Sequence, residues 1–239
     1  MPSVFRRIPL PSLLRRLQRF EGGVLLALLA LAVAVWGFVS IGGEMLEGET
    51  QAFDGWLLLA LREPGDLNNP IGPRTLEEAL RDITGLGGFT VLTIVTAVGA
   101  LAFFFHKKHR HALVLVVTVL SAQFASETLK SLYGRPRPDL VPHGSYVYSG
   151  SFPSGHSMLA AATYLTLAML IASVEPKRRT KALVYVLAGL VIVSVGFSRV
   201  YLGVHWPSDV LAGWAAGAAW ALGAWVALIG LRPRTQPGA

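Results

Sequence analysis

Twelve residues, Ser198 to Asp209 (SRVYLGVHWPSD), place an arginine, a histidine and an aspartate between two strongly apolar segments. Ionisable groups at membrane depth are costly and face a cavity or a partner, so such a stretch marks a candidate functional site. Two further stretches share this character: KSLYGRPRP at Lys130 to Pro138, and PSGH at Pro153 to His156. Asp209 follows His205 by about one helical turn. A carboxylate so placed can accept the histidine Nδ1 proton, which leaves Nε2 as an unprotonated nucleophile. Lys130, Arg137 and Arg199 are candidate ligands of phosphate oxygens, arginine as a planar fork and lysine as a point charge. The competing use of such cations is snorkelling to headgroups at the ends of spans, and Arg135 is assigned to that use. Pro136 and Pro138 hold their segment extended. In PSGH, Ser154 reads as a helix N-cap and Gly155 lets the backbone approach a ligand closely. Free amides at a helix N-terminus form an anion site. The alternative is an ordinary capped helix with His156 at the interface.

These residue types suit phosphate-ester cleavage. Negative charge spreads over the transferring group's oxygens and needs fixed cations and amide donors around it. A nucleophile must attack phosphorus in line, and an acid must protonate the leaving oxygen. A metal site built from His205, Asp209 and His156 is the rival. Three neighbouring fixed cations favour an anion over a divalent ion, so neither a metal nor another cofactor is expected.

The elements that must position these residues follow from composition. The chain has 239 residues, of which 53% are hydrophobic, with a mean hydropathy of +0.52. Several runs approach the length that crosses a bilayer, and no soluble block of domain size is left over. The net charge of +7 comes from short basic clusters beside apolar runs, which is a membrane-topology signal. No recognition module or long basic face points to nucleic acid. With no cysteine there is no disulfide, thiol nucleophile or thiolate metal site.

Residues 1–21 read as a basic amphipathic helix lying on the inner leaflet. The run Gly22 to Ser40 is too long for a signal-peptide core and lacks a small-residue exit, so it reads as a retained first span. Residues 41–86 hold nine of the fourteen acids and form an outer loop. Within it, Phe53 to Arg62 lies in the interface and Leu76 to Ile83 is a short helix. Further spans are expected near Gly87–Phe105, Ala112–Leu129, His156–Ser173, Ala182–Phe197 and Val210–Leu231. The N-terminus, the turns HKKHRH and EPKRRTK, and the tail hold fourteen of the 21 Lys and Arg. Positive-inside bias therefore puts both termini in the cytoplasm and all three motifs at the outer surface. His106, His109, His111 and His143 are read as solvated or headgroup-facing. Gly213 and Gly217 make a GxxxG, read as helix packing within the monomer, with a dimer contact as the alternative. Oligomeric state stays open.

Lysine, six residues and Arg-Pro at Lys130 to Pro138, then PSGH, then Ser-Arg, five residues, His, three residues and Asp at Ser198 to Asp209, resemble a known set. They are similar to the three signature motifs of the type 2 phosphatidic acid phosphatase superfamily of integral-membrane lipid phosphatases. The resemblance covers the second to the sixth span and implies an all-α fold, a bundle of six transmembrane helices with its site at the outer membrane–water interface. It implies that His205 attacks phosphorus to give a phosphohistidine, with Asp209 orienting it. His156 would protonate the leaving group and then activate water. Lys130, Arg137 and Arg199, with Ser154 and the Gly155 amide, would hold the phosphate. The implied partner is a membrane lipid phosphate, either an isoprenyl pyrophosphate or a glycerolipid phosphate, and no metal is needed. The expected organisation is 1–21 N-terminal segment, 22–86 first span and outer loop, 87–231 phosphatase core and 232–239 cytoplasmic tail. A non-catalytic phospholipid-binding or transport protein would need the cations but has no use for His156, His205 and Asp209 together. The vanadate-dependent haloperoxidases share the motifs but are soluble.

Overall fold

The computed structural model describes residues 22–144 and 149–230. The basic N-terminal segment and the tail with Arg232 and Arg234 lie outside the described residues. Among the described residues, six long helical runs alternate in direction. They are α1 (Gly22–Glu47), the bent pair α3 (Arg74–Gly85) and α4 (Phe89–Phe105), α5 (His109–Tyr133), α6 (Gly155–Val174), α7 (Arg178–Tyr201) and α8 (Pro207–Gly230). Helix α2 (Gln51–Ala60) is short, as expected for Phe53 to Arg62. A small antiparallel hairpin follows it, β1 (Arg62–Glu63) and β2 (Asp66–Pro70), an addition to the expected all-helical chain.

Among the described residues, five helices are long and apolar enough to cross a membrane, and a sixth crossing forms if α3 and α4, bent by 50° to one another, count together. Counted as one crossing, the bent pair begins before Gly87, where the sequence puts the start of the second span. Helix α4 alone has 17 residues, and at 1.5 Å per residue it reaches about 25 Å, short of a bilayer core of about 30 Å. The other helices run a few residues past their apolar stretches. Their polar ends, such as SETLKSLY on α5 and RRTK on α7, have good helix formers and satisfy their own backbone bonds where apolar periodicity has stopped.

Helix α6 is the centre of the bundle: 61% of its apolar window is buried, against 6% for α1. Its run of Ala160, Ala161 and Ala162 is almost fully buried and lets neighbours come close. Helix α8 supplies the matching small face. A Cβ on Gly213 would lie 2.8 Å from the Ser154 carbonyl oxygen, and one on Gly217 would collide with the Met158 carbonyl. The GxxxG is thus used inside the monomer. Large apolar side chains such as Leu26, Trp36, Phe105 and Phe124 stand outward, as lipid-facing surfaces require.

Leu92, Ala122, Met158, Leu159, Ala162 and Ala216 join four helices in mid-bundle. At one end, Leu58, Val141, Val200 and Val210 form a separate cluster, and Leu80, Tyr201, Leu202 and Val204 form another. These two pack the segment 50–86 onto the α7–α8 connection. That end is where the C-termini of α5 and α7 meet the N-termini of α6 and α8. Lys130, Gly155, Arg199 and Asp209 therefore arrive together because consecutive helices reverse direction.

Candidate active site

His205 lies in the connection between α7 and α8, which is held from several sides. Gly203 turns the chain with φ +71°, and a Cβ there would lie 2.7 Å from Val141 Cγ2 and 2.8 Å from the Pro142 oxygen. No side chain fits that position. Arg62 Nη2 donates to the Tyr201 oxygen at 2.9 Å, and the Tyr201 hydroxyl donates to the Ile71 oxygen at 2.7 Å. The hairpin and the residues that follow it thus clasp the connection.

The histidine's two ring nitrogens face different partners. Nδ1 is 3.3 Å from Asp209 Oδ2, and Arg137 Nη1 is 3.2 Å from Nε2. A guanidinium can only donate, so Nε2 accepts and Nδ1 carries the proton toward Asp209. That is the tautomer a nucleophilic Nε2 needs. Arg137 is itself fixed by donating to the Val204 oxygen at 2.7 Å and the Ser149 oxygen at 2.9 Å. Burial lowers the basicity of His205 well below the usual histidine value, and the charges of Arg199, Arg137 and Lys130 push the same way. Burial likewise lowers the Arg137 pKa, partly offset by Asp209.

The remaining cations close in on the same face. Lys130 Nζ is 3.4 Å from Glu127 Oε1 and from Ser149 Oγ. A Cβ on Gly155 would sit 2.9 Å from that Nζ, so the PSGH glycine is what lets the lysine reach the N-terminus of α6. Arg199 is buried, donates to Thr84 Oγ1 at 3.0 Å from Nη1, and leaves Nε without a partner among the described residues. Ser154 caps α6 as its position suggests, its Oγ accepting from the Ser157 amide and, at 2.9 Å, from the Ser157 hydroxyl. Its own hydroxyl proton remains available to an anion. Electrostatically, His156 lies among Arg199, His205, Lys130 and Arg137. All eight sequence-derived residues therefore meet at one end of the bundle.

The cluster of basic histidines lies elsewhere. His109 and Lys130 are 21 residues apart on α5, about 30 Å along its axis. His111 Nε2 is 3.0 Å from Ser173 Oγ at that far end. His143 is exposed and bonded to the Pro138 oxygen at 2.7 Å.

One residue departs from the reading of the sequence. Arg135 does not snorkel outward. Its Nη1 is 2.6 Å from Asp209 Oδ1 and its Nη2 is 2.7 Å from Asp54 Oδ2, with the guanidinium 5.5 Å from the Trp206 ring centroid. Two buried carboxylates outcompete solvent for a planar cation that can bind both. Asp54 and Thr84 are site-supporting residues outside the three motifs, and Ser208 lies within the third motif beside Asp209 with no role assigned to it from the sequence. The acid Asp54 within the otherwise apolar run Phe53 to Leu61 is a signal the sequence offered.

Residues 111–231, about half of the chain, match the PAP2 superfamily. The chain belongs to that superfamily. It is a multi-pass membrane protein and, like its named relatives, a lipid phosphatase. As a PAP2 protein it is 39% identical over 146 residues to phosphatidylglycerophosphatase B of Bacillus subtilis, covering 59% of this chain and 70% of that one. It is 29% identical over 140 residues to undecaprenyl-diphosphatase of Sulfolobus acidocaldarius, covering 56% and 61%. The fold superposes on the crystal structure of a transmembrane PAP2-type phosphatidylglycerolphosphate phosphatase from Bacillus subtilis. The TM-score is 0.75 with 29% identity, over 86% of this chain and 98% of that one.

Proposed function

We propose that this PAP2 enzyme removes the terminal phosphate of an isoprenyl pyrophosphate or a glycerolipid phosphate through a phosphohistidine. The observation that carries the reading is the pairing at His205: Nδ1 toward Asp209 at 3.3 Å and Nε2 toward a guanidinium at 3.2 Å. A phosphoryl group drawn to Arg137 would arrive at the lone pair of Nε2. That pair attacks phosphorus, the P–O bond to the lipid breaks, and the leaving oxygen takes a proton from His156. Water then gives a proton to His156 and attacks phosphorus. The N–P bond breaks, its electron pair returns to Nε2, and inorganic phosphate leaves. Lys130, Arg137, Arg199, the Ser154 hydroxyl and the Gly155 amide neutralise the equatorial oxygens, which leaves no charge for a metal to balance.

The relatives named for phosphatidylglycerophosphate and undecaprenyl diphosphate favour an amphiphilic substrate. The charge bias of the turns favours a cell-membrane protein with both termini inside and the site facing outward. The test is phosphate release in detergent with excess EDTA. The panel holds undecaprenyl pyrophosphate, phosphatidylglycerophosphate, phosphatidic acid and a soluble phosphate ester, with His205→Ala as control. Release from one lipid, undiminished by EDTA and lost in the variant, is expected. Full turnover by His205→Ala would sink the phosphohistidine route, and a dependence on added metal would sink the metal-free one.

A further inference from the structure

Behind Asp209 runs a buried chain of side chains that the cleavage steps above do not use. Arg135 joins Asp209 on α8 to Asp54 on α2, at 2.6 and 2.7 Å. Asp54 is fully buried and accepts from the Ser208 amide at 2.8 Å and the Ser208 hydroxyl at 2.6 Å. Arg135 Nη1 also approaches Ser208 Oγ at 2.8 Å, and Nη2 approaches Thr50 Oγ1 at 3.3 Å. Asp209 Oδ2 meanwhile accepts from the Trp206 amide at 2.9 Å, beside its contact with His205. One guanidinium therefore divides its fork between two carboxylates, only one of which touches the histidine.

We propose that Arg135 and Asp54 are positioning residues that set the orientation and net charge of Asp209 and thereby keep His205 a neutral, correctly directed nucleophile. This rests on the phosphohistidine reading. The two aspartates and one arginine together carry a single negative charge. When Nε2 bonds to phosphorus, the imidazole with its proton on Nδ1 becomes cationic, and that single charge balances it. Without Arg135 two negative charges would stand behind the histidine. The ring would then hold a second proton in its resting state, which occupies Nε2 and blocks attack. Without the charge of Asp54 the trio would be neutral, so the cationic intermediate would lose its balance while the resting ring stayed unprotonated. Two substitutions in one chain thus shift the same histidine in opposite directions.

The groups facing His205 from the other elements are Lys130 on α5, His156 on α6, Arg199 on α7 and Arg137 in the α5–α6 connection. All of these stay in place in the variants, so a shift reports the chain behind Asp209.

The experiment compares wild type, Arg135→Gln, Arg135→Lys, Asp54→Asn and His205→Ala in detergent. It measures kcat and KM against pH and the His205 titration midpoint by NMR of ¹⁵N-histidine-labelled protein. Arg135→Gln is expected to raise the midpoint by about one pH unit or more and to lower kcat about tenfold or more near neutrality, with KM within about threefold. Arg135→Lys restores the midpoint but only part of kcat, because it keeps the charge and loses the fork. Asp54→Asn lowers the midpoint and lowers kcat at every pH. Should Arg135→Gln fail to fold, the isosteric Asp54→Asn carries the test with the opposite sign. Midpoints and kcat unchanged within about twofold in the folded variants would overturn the proposal. A brief pulse with ³²P-labelled substrate separates the two readings. An acid-labile phosphoprotein in wild type with unmoved midpoints overturns only this inference, whereas no phosphoprotein at all overturns the mechanism it rests on as well.

Discussion

The two sides of His205 are built on opposite principles. On the Asp209 side the bonds close on themselves: Asp54, Arg135, Ser208, the Trp206 amide and Asp209 satisfy one another in a largely buried setting. On the cation side they stay open. Among the described residues, Arg199 Nε is buried with no partner, Lys130 Nζ has hydrogen-bond contacts of 3.4 Å, and Arg137 spends part of its fork on the histidine itself. A buried donor left unmet costs on the order of 1–3 kcal/mol, so a fold keeps it where a ligand will meet it. The closed side holds the nucleophile still, and the open side awaits an anion.

The comparison can be broken most directly at its arginines. Arg199→Leu removes an open-side cation whose protein partner is Thr84 Oγ1, at 3.0 Å. It is expected to lower kcat/KM about 10²–10³-fold, the size of one lost transition-state donor, with little change in the thermal midpoint in detergent. Arg135→Leu removes the cation shared by two buried carboxylates and is expected to cost ~3–5 kcal/mol of stability as well as activity. Thermal unfolding beside steady-state kinetics decides it. If both variants lose stability equally, the open side is structural and the division fails.

His205 itself measures which side dominates. Asp209 favours a protonated ring, whereas burial and the cations oppose it, and the balance falls on the neutral ring. An unfolded chain would bind a proton at His205 near pH 6.5, while the folded protein would not until well below that. The native state therefore loses stability, relative to the unfolded state, as pH falls below about 6.5 and down to the depressed folded value; above 6.5 the group contributes nothing. The expected NMR midpoint lies below 6.5. A midpoint at or above that value would give the carboxylate side the upper hand and remove the argument for a resting nucleophile.

What the sequence made legible follows the same division. Motif residues such as His205 and Asp209 lie four apart, and Lys130 and Arg137 seven apart, so local spacing alone betrays their joint use. Alternating helix direction then brings the motifs to one end, which the charge of the turns already implied. Arg135 and Asp54 are separated by 81 positions, and Arg199 and Thr84 by 115. No local pattern links them. Arg135 reads as an interfacial residue, and Arg199 as a phosphate ligand without a protein partner, until the fold sets each against its partner. The bend between α3 and α4 was equally hidden. It depends on Gly87, where a Cβ would meet Val195 Cγ1 at 2.6 Å and the His156 oxygen at 3.0 Å.

Gly155→Ala sharpens the contrast with the smallest change. The added methyl would come 2.9 Å from Lys130 Nζ, 3.3 Å from Lys130 Cε and 3.3 Å from Ser126 Oγ, and the α6 backbone itself need not move. The lysine tip is the flexible end of a long chain and can swing away. The fold should therefore persist with an unchanged thermal midpoint while the ammonium leaves the helix N-terminus. A misplaced cation weakens the hold on phosphate, so inhibition by inorganic phosphate or vanadate should weaken by about tenfold, one hydrogen-bonded charge's share of binding. Adding Lys130→Met to Gly155→Ala should then cost little more, because the alanine has already removed the lysine's contribution. Fully additive losses would mean that Gly155 serves the anion through its own amide and not by making room for Lys130.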